Sequence, residues 1–333
     1  MKLLSVFMDV EDPINPLADD AALEIADLFS GAGVIGSFCV TGEKCRTLIR
    51  RDRTDVIKAL SRHCLGLHTD THSYHPTTME LLAELNYEEG CQAAFVAEER
   101  GVRAFESAFG RQPAFWGGAG NTWSPEITDA LRRLSIPAYV YALTELPNSA
   151  VHRFGGVFAL PQSVSVSELE WCDPELASKA ESRALAQIDA VPAEWVGVFV
   201  GHPTKMRHER YWDWPYFAGR TPDEPETTPP IPEERYRFGL RSLAAFLGKI
   251  RDSHSVIGVD AALRLDWSVR KPTESARQHF KTATAANLRS AASWPPHRSG
   301  LSPERIVEKT LSLIDTLEFA HLPTARNSSE RSV

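Results

Sequence analysis

Apolar runs of strand length alternate with longer amphipathic segments along most of the chain. The clearest apolar runs occupy positions 3–8, 34–40, 64–67 and 195–200. Runs of this kind are typical of strands that are buried on both faces of a parallel sheet. The segments between them carry apolar residues on one face only, which predicts helices that pack on the sheet. The clearest of these segments are 17–30, 55–63, 174–190 and 235–251.

This order of segments predicts the fold class and the domain division. Each strand is followed by a helix and no internal repeat occurs, which indicates an α/β protein with a mainly parallel sheet. For roughly seven or eight strands, the natural closure is a deformed (β/α) barrel. After residue 266 the pattern changes to a polar, Ala-rich helix, a Pro-Pro pair at 295–296, a second helix at 303–318 and a polar tail. We therefore predict a barrel domain at 1–266 and a helical or partly disordered C-terminal extension at 267–333.

Composition excludes several classes of partner. The net charge is −8, from 36 basic and 44 acidic residues, which argues against nucleic acid or an anionic membrane. The first apolar run breaks at Asp9, too early for a signal peptide, and no later stretch approaches the roughly 18 apolar residues of a membrane helix. The five cysteines form no Cys-x-x-Cys pair, which disfavours a disulfide framework. We expect a cytoplasmic protein with reduced thiols and a small-molecule partner.

Ionisable side chains follow three of the predicted strands. The first strand is followed by carboxylates, the third by two histidines four positions apart, and a late strand by one more histidine; these residues are Asp9, Glu11, Asp12, His68, His72 and His202. Histidines at this spacing can bind one metal ion, although a histidine-rich stretch alone is more often a solvated surface. Strand ends that are distant in sequence meet at the mouth of a barrel, which favours the metal site.

Five short motifs in the same order resemble a known family. They read FMDVED at 7–12, SFCVTG at 37–42, GLHTDTH at 66–72, FGRQP at 109–113 and VFVGH at 198–202. Together they are similar to the motifs of polysaccharide deacetylases of the NodB-homology type, and the similarity covers about residues 1–266. The resemblance implies a deformed (β/α) barrel and a metal-dependent hydrolase that removes an acetyl or similar acyl group from nitrogen on a carbohydrate-like substrate.

The resemblance also implies roles for individual residues. Asp9 would be the general base and His202 the general acid. The metal ligands would be His68, His72 and one carboxylate, either Glu11 or Asp12. Zinc is the expected ion, with cobalt, nickel, manganese or iron also compatible. In such a site the ion activates the attacking water and polarises the carbonyl.

Two departures from the family pattern keep other interpretations open. The family carries an arginine that orients the base, but the corresponding place here holds Trp116 and Gly117. The carboxylate that normally partners the acid histidine is not recognisable in the sequence. Trp116, Gly117 and His75 are candidates for substrate binding, with a solvated turn as the alternative for His75. Two other functions remain: hydrolysis of another small linear or cyclic amide, and sugar binding by an inactive homologue.

Overall fold

The structure is a computed structural model that describes residues 2–142, 151–218, 226–297 and 301–322. The strands are β1 (Leu3–Val10), β2 (Ser37–Val40), β3 (Cys64–Leu67), β4 (Trp116–Gly117), β5 (Ala138–Ala142), β6 (His152–Phe154), β7 (Val157–Ser165), β8 (Trp195–Phe199), β9 (Ser255–Val256), β10 (Ser268–Arg270) and β11 (Glu318–His321). The helices are α1 (Pro16–Gly31), α2 (Gly42–Arg50), α3 (Thr54–Leu60), α4 (Thr78–Leu82), α5 (Tyr87–Phe109), α6 (Pro125–Arg133), α7 (Glu168–Trp171), α8 (Ala177–Ala190), α9 (Pro203–Arg207), α10 (Trp214–Phe217), α11 (Glu233–Ser253), α12 (Val259–Leu263), α13 (Glu274–Ala292) and α14 (Glu304–Ser312).

Seven parallel strands close into a barrel, as the sequence predicted. Their order around the barrel is β1, β2, β3, β4, β5, β7 and β8, and the β1–β8 pairing completes the ring. The barrel is deformed, because β4 contributes only Trp116 and Gly117 and a register shift interrupts the β7–β8 pairing between Gln162 and Val164. The remaining strands lie outside the ring, with β6 antiparallel to β7 and β9 parallel to β1.

The apolar runs fill two layers of core because neighbouring residues of a strand point to opposite faces. Phe7 of β1 belongs to an apolar cluster with Cys39, Val140 and Leu160, and its ring meets Phe115 edge to face at 5.9 Å. The other face of the same strands packs on the helices in a second cluster that contains Val6 and Met8. This two-sided burial explains why the strands read as continuous apolar runs.

Several element boundaries differ from the sequence prediction. The sequence pattern also predicts a strand at 112–116 and a helix at 79–109 with a break near Asn86, whereas the structure has only the short β4 and two separate helices, α4 and α5. The break falls where the sequence indicated it, because the Asn86 side chain accepts a hydrogen bond from the backbone N–H of Glu89 at 3.0 Å and caps α5. No helix of the described residues is long and apolar enough to cross a membrane.

Residues 268–297 and 301–322 pack on the barrel through helices and strands. Strand β11 pairs with β10 on one side and with β6 on the other, so the predicted helix at 303–318 ends at Ser312 and gives way to a strand. Helices α13 and α14 form an apolar cluster with α4, which contains Met79, Ala83, Ala285, Leu288, Ala291, Ile306 and Val307. The predicted polar tail lies outside the described residues.

Candidate active site

Three strand ends meet around one cavity at the mouth of the barrel. Asp9 lies near the end of β1 and Glu11 follows it, His68 follows β3, and His202 follows β8 by three positions. All four side chains line a cavity of about 410 Å³ together with His72. The structure therefore brings together residues that are separated by more than 190 positions in the sequence.

Glu11 lies at the centre of the three histidines. Its Oε2 atom is 2.8 Å from Nε2 of His72 and 3.5 Å from Nε2 of His68. The same oxygen is 3.7 Å from Nε2 of His202. The other oxygen, Oε1, accepts a hydrogen bond from the indole N–H of Trp212 at 3.3 Å. Because the side chain of Glu11 is almost fully buried, its carboxylate is fixed in this position.

Asp9 lies between the histidines of two strands. Its Oδ2 atom is 3.7 Å from Nε2 of His68 and 3.8 Å from Nε2 of His202. Burial raises the pKa of Asp9, and the two histidines lower it by less, so the net shift is upward. A carboxylate with a raised pKa is a stronger base, which suits a group that has to accept a proton.

The two candidate metal-binding histidines are oriented by contacts at their Nδ1 atoms. Nδ1 of His68 lies 3.0 Å from the carbonyl oxygen of Gly117. Nδ1 of His72 lies 3.4 Å from Oδ2 of Asp213 and 3.2 Å from the hydroxyl of Ser73. Since Nδ1 of each ring has an oxygen partner of its own, Nε2 is the atom that each presents to the cavity, which is the usual arrangement of a metal-binding histidine.

Gly117 supports His68 through its backbone. A Cβ atom at this position would lie 3.0 Å from Sγ of Cys39 and 3.4 Å from Nδ1 of His68. A side chain would therefore crowd the ring that the Gly117 carbonyl orients. Gly117, which was predicted to bind substrate, does line the cavity. The lack of space beside His68 is a second reason for glycine at this position.

A glutamate that the sequence did not indicate is the partner of His202. Oε1 of Glu168, the first residue of α7, contacts Nδ1 of His202. The close approach depends on Gly201, whose φ of +110° places it in a region that favours glycine and where a Cβ atom would overlap the Glu168 side chain. The apparent lack of a carboxylate partner in the sequence is thus corrected, because the partner comes from another segment of the chain.

The charges of the cluster depend on one another. Burial lowers the pKa of each histidine, but the surrounding carboxylates outweigh it and raise the pKa of His68, His72 and His202 to about 10. Burial raises the pKa of Glu11, but His72 and His202 outweigh it and hold this pKa well below its usual value. Each histidine therefore has acidic neighbours that favour its protonated form, and a metal that binds these nitrogens would displace protons.

The chemistry of the donor atoms fits a divalent metal. One ligand atom each from Glu11, His68 and His72 lies within 4.8 Å of the others, and all three side chains are buried. Two imidazole nitrogens and one carboxylate oxygen are a ligand set of catalytic zinc sites, which leaves a coordination position for water or substrate. Cys39 forms a second group with Asp9 and His68, but burial raises the pKa of its thiol to about 11. The first group contains both His68 and His72 and a buried carboxylate, which is the two-imidazole, one-carboxylate set described above, so it is the better site.

Asp12 lies outside this group. Its carboxylate accepts hydrogen bonds from the backbone N–H groups of Ile14 at 2.8 Å and Asn15 at 3.0 Å. It also accepts from the hydroxyl of Thr204 at 2.5 Å. These contacts hold the turn before α1 against α9, so of the two carboxylates left open by the sequence the structure places only Glu11 with the histidines.

Trp116 and His75 do not line the catalytic cavity. The indole N–H of Trp116 donates to Oε2 of Glu98 at 2.9 Å, and the ring is almost fully buried between β4 and α5. Nδ1 of His75 lies 2.8 Å from Oε2 of Glu80. The cavity is instead lined by polar and aromatic side chains that the sequence did not single out, namely Tyr141, Gln162, Tyr211, Asp213, Phe217 and Trp294.

Comparison with known proteins supports the fold. No profile of a known protein family matches the sequence, and no curated protein matches it. A protein of Mycobacterium smegmatis named as a candidate polysaccharide deacetylase superposes with a TM-score of 0.51 at 15% identity, over 81% of this chain and 94% of that chain. The chain has the polysaccharide deacetylase fold.

Further solved structures with this fold match less closely. A CE4 esterase of Streptococcus mutans gives a TM-score of 0.46 at 14% identity, over 77% of this chain and 85% of that chain. A CE4 family pseudoenzyme of Bacillus anthracis gives 0.45 at 12% identity, over 79% and 66%. At such identities the comparison shows a shared fold only. It confirms the fold that the resemblance of the five motifs implied.

Proposed function

We propose that the protein is a metal-dependent hydrolase that removes an acetyl or similar acyl group from the nitrogen of a carbohydrate-like substrate. One observation carries this proposal. Separate strand ends of a deacetylase-type barrel bring a buried carboxylate oxygen of Glu11 to within 3.7 Å of Nε2 of His68, His72 and His202. Asp9 lies beside the same group.

The donor set indicates which residues would hold the ion. Glu11, His68 and His72 would bind a divalent metal, for which one carboxylate and two imidazoles favour zinc, with cobalt, nickel, manganese and iron also compatible. When bound, the ion would activate the attacking water and polarise the substrate carbonyl. The buried position of Glu11 keeps the ligand set in place without substrate.

Asp9 and His202 have complementary tasks in this proposal. Asp9 would accept the proton of the attacking water, and its raised pKa suits that task. His202 would donate a proton to the departing amine, and Glu168 at its Nδ1 atom both orients the ring and favours the imidazolium form. Oδ2 of Asp9 lies 3.8 Å from Nε2 of His202, so both groups reach the same small reacting centre.

The proposal is tested by acetate release. Protein that has been stripped with a chelator and reloaded with zinc or cobalt is incubated with a panel of N-acetylated sugars and with linear and cyclic amides. We expect acetate from at least one N-acetylated sugar with loaded protein and none with stripped protein. Hydrolysis of the linear or cyclic amides alone would show that the substrate is a small amide and not an N-acylated sugar. Binding of sugars without hydrolysis of any compound would identify an inactive homologue.

A further inference from the structure

Trp294 brings the C-terminal segment, residues 268–297 and 301–322, into the catalytic cavity. It follows α13 and lines the cavity together with Phe217. Its indole ring meets the imidazole of His72 edge to face, with ring centroids 5.6 Å apart and an interplanar angle of 83°. It meets Phe217 in the same way at 6.3 Å. A residue from outside the barrel thus lies directly against a candidate metal ligand.

The same indole covers the loop that follows β4. A Cβ atom at Gly120 would overlap the Cδ2 and Cε2 atoms of Trp294, so the backbone of the loop and the indole are in close contact. Gly120 has a φ of +58° and lines the cavity beside Asn121. Since His72 follows β3 and Gly120 follows β4, the indole of Trp294 contacts the segments that follow two neighbouring strands.

Contacts on both sides of Trp294 hold it in this position. Nδ1 of His297 lies 2.8 Å from the hydroxyl of Thr77, and its Nε2 lies 3.1 Å from the carbonyl oxygen of Ala291. The rings of Trp294 and His297 meet edge to face at 5.3 Å. Thr77 follows His72 by five positions, so the segment is attached to the same loop that carries the candidate metal ligand.

A second attachment lies further along the segment. Nζ of Lys309 in α14 donates to the carbonyl oxygens of Leu82 at 2.8 Å and Leu85 at 3.2 Å, and it also pairs with the buried carboxylate of Glu126. Fully buried Ile306 packs against α4 in the apolar cluster described above. The segment is therefore fixed to the barrel on the side where Trp294 enters the cavity.

We infer that Trp294 closes one side of the catalytic cavity, so that the site accepts a single N-acylated sugar or the end of a chain and excludes the interior units of a polymer. This inference rests on the proposed function. A cavity of about 410 Å³ lies toward the lower end of the roughly 300–1,000 Å³ typical of sites for one small molecule. A polysaccharide chain continues on both sides of an interior sugar unit. Trp294 and Phe217 occupy the space that the chain would need on one of these sides.

The position of deacetylation tests the inference. The loaded protein is incubated with the trimer of N-acetylglucosamine, and the products are sequenced by mass spectrometry. We expect the wild type to remove acetyl groups from a terminal unit. Trp294→Ala should release acetate from the middle unit at a level at least about tenfold above the wild-type background, because it removes the side chain that excludes an interior unit. Trp294→Phe keeps an aromatic wall and should retain the terminal preference.

Ile306→Val is the matched control, because it changes the packing of the same segment at a residue that does not line the cavity. We expect it to lower the melting temperature slightly and to leave the product pattern unchanged. A purely structural role of Trp294 would lower the rate at all three sugar units equally. Release from the middle unit by the wild type, or an unchanged pattern in folded Trp294→Ala, would overturn the inference.

Calorimetry with the Asp9→Asn protein separates this inference from the proposed function. If only one unit is held, the trimer and the monomer should bind with similar affinity, and adding Trp294→Ala should raise the affinity for the trimer relative to the monomer by up to about threefold, because each of its three units can then occupy the site. If these affinities are found but the wild-type protein releases no acetate, the inference about Trp294 stands and the proposed hydrolase function is rejected. Failure of both sugars to bind would overturn both.

Discussion

The candidate catalytic cavity is formed by two regions that contribute side chains in different ways. The barrel places Asp9, His68 and His202 at the ends of strands whose pairing fixes their positions. The second region consists of the loops and the C-terminal segment, which contribute Glu168 and Trp294 by packing against those residues. In the proposed function the strand ends carry the groups that would react, and the second region orients and encloses them.

The difference also determines what could be predicted from the sequence. The strands were predictable because they read as apolar runs, and the candidate ligands because they directly follow those runs. The role of Glu168 was not predictable from the sequence. It lies 34 positions before His202, and no spacing rule connects a carboxylate to a histidine that it meets only after folding. Trp294 lies in a polar, Pro-containing stretch that indicated a separate extension. The prediction that Trp116 binds substrate was wrong, since its position in the sequence did not show which face of β4 its side chain occupies.

The sequence could not choose between Glu11 and Asp12 for a related reason. Both follow β1 and both are acidic, but the hydrogen bonds that Asp12 accepts come from Thr204, 192 positions away, and from the turn at Ile14 and Asn15. The fold of the barrel was therefore predictable from local pattern, whereas the partners of individual carboxylates depended on contacts that are distant in sequence.

The largest expected effect is the loss of a reacting group at the strand ends. Removing one of two imidazole ligands with His68→Ala should abolish metal binding and lower acetate release by at least about a thousandfold. Elemental analysis and an acetate assay check both results. Asp12→Asn is the matched control, and it should keep the metal while it lowers the free energy of unfolding by about 1–3 kcal/mol, because it weakens buried hydrogen bonds.

Asp9→Asn should separate catalysis from metal binding. The amide cannot accept the proton of the attacking water, so we expect kcat to fall by roughly 10²–10⁴-fold, while elemental analysis still finds the metal. Loss of the metal in this variant would show that Asp9 is a ligand and that its role has been exchanged with that of Glu11.

A smaller effect is expected for a residue of the second region. Glu168→Gln removes a carboxylate that raises the pKa of His202, so the pKa of the acid should fall. The loss of activity at high pH, where His202 loses its proton, should then begin at a lower pH than in the wild type, and kcat should decrease roughly tenfold to a hundredfold. A kcat–pH profile checks this result. An unchanged high-pH limb would show that Glu168 does not act through His202.

The smallest effect on activity is expected behind β4, away from the reacting groups, where the change is one of stability. Burial raises the pKa of Glu98 to about 7, and the hydrogen bond from Trp116 only partly opposes it. This carboxyl group therefore binds more protons in the folded than in the unfolded chain between about pH 4.5 and pH 7, and its contribution to stability falls as the pH rises through this window. Glu98→Gln should remove about 3 kcal/mol of this pH dependence, which urea unfolding at several pH values would detect. Equal pH dependence of stability in the wild type and in Glu98→Gln across the window would contradict it.

The central claim is that Glu11, His68 and His72 hold one divalent metal ion at the mouth of the barrel. The most direct test is elemental analysis of the full-length protein after it has been stripped, reloaded with zinc and dialysed. We predict one zinc ion per chain in the wild type and in Asp12→Asn. A content near zero in folded wild-type protein would contradict the claim, as would equal metal in wild-type and His68→Ala protein.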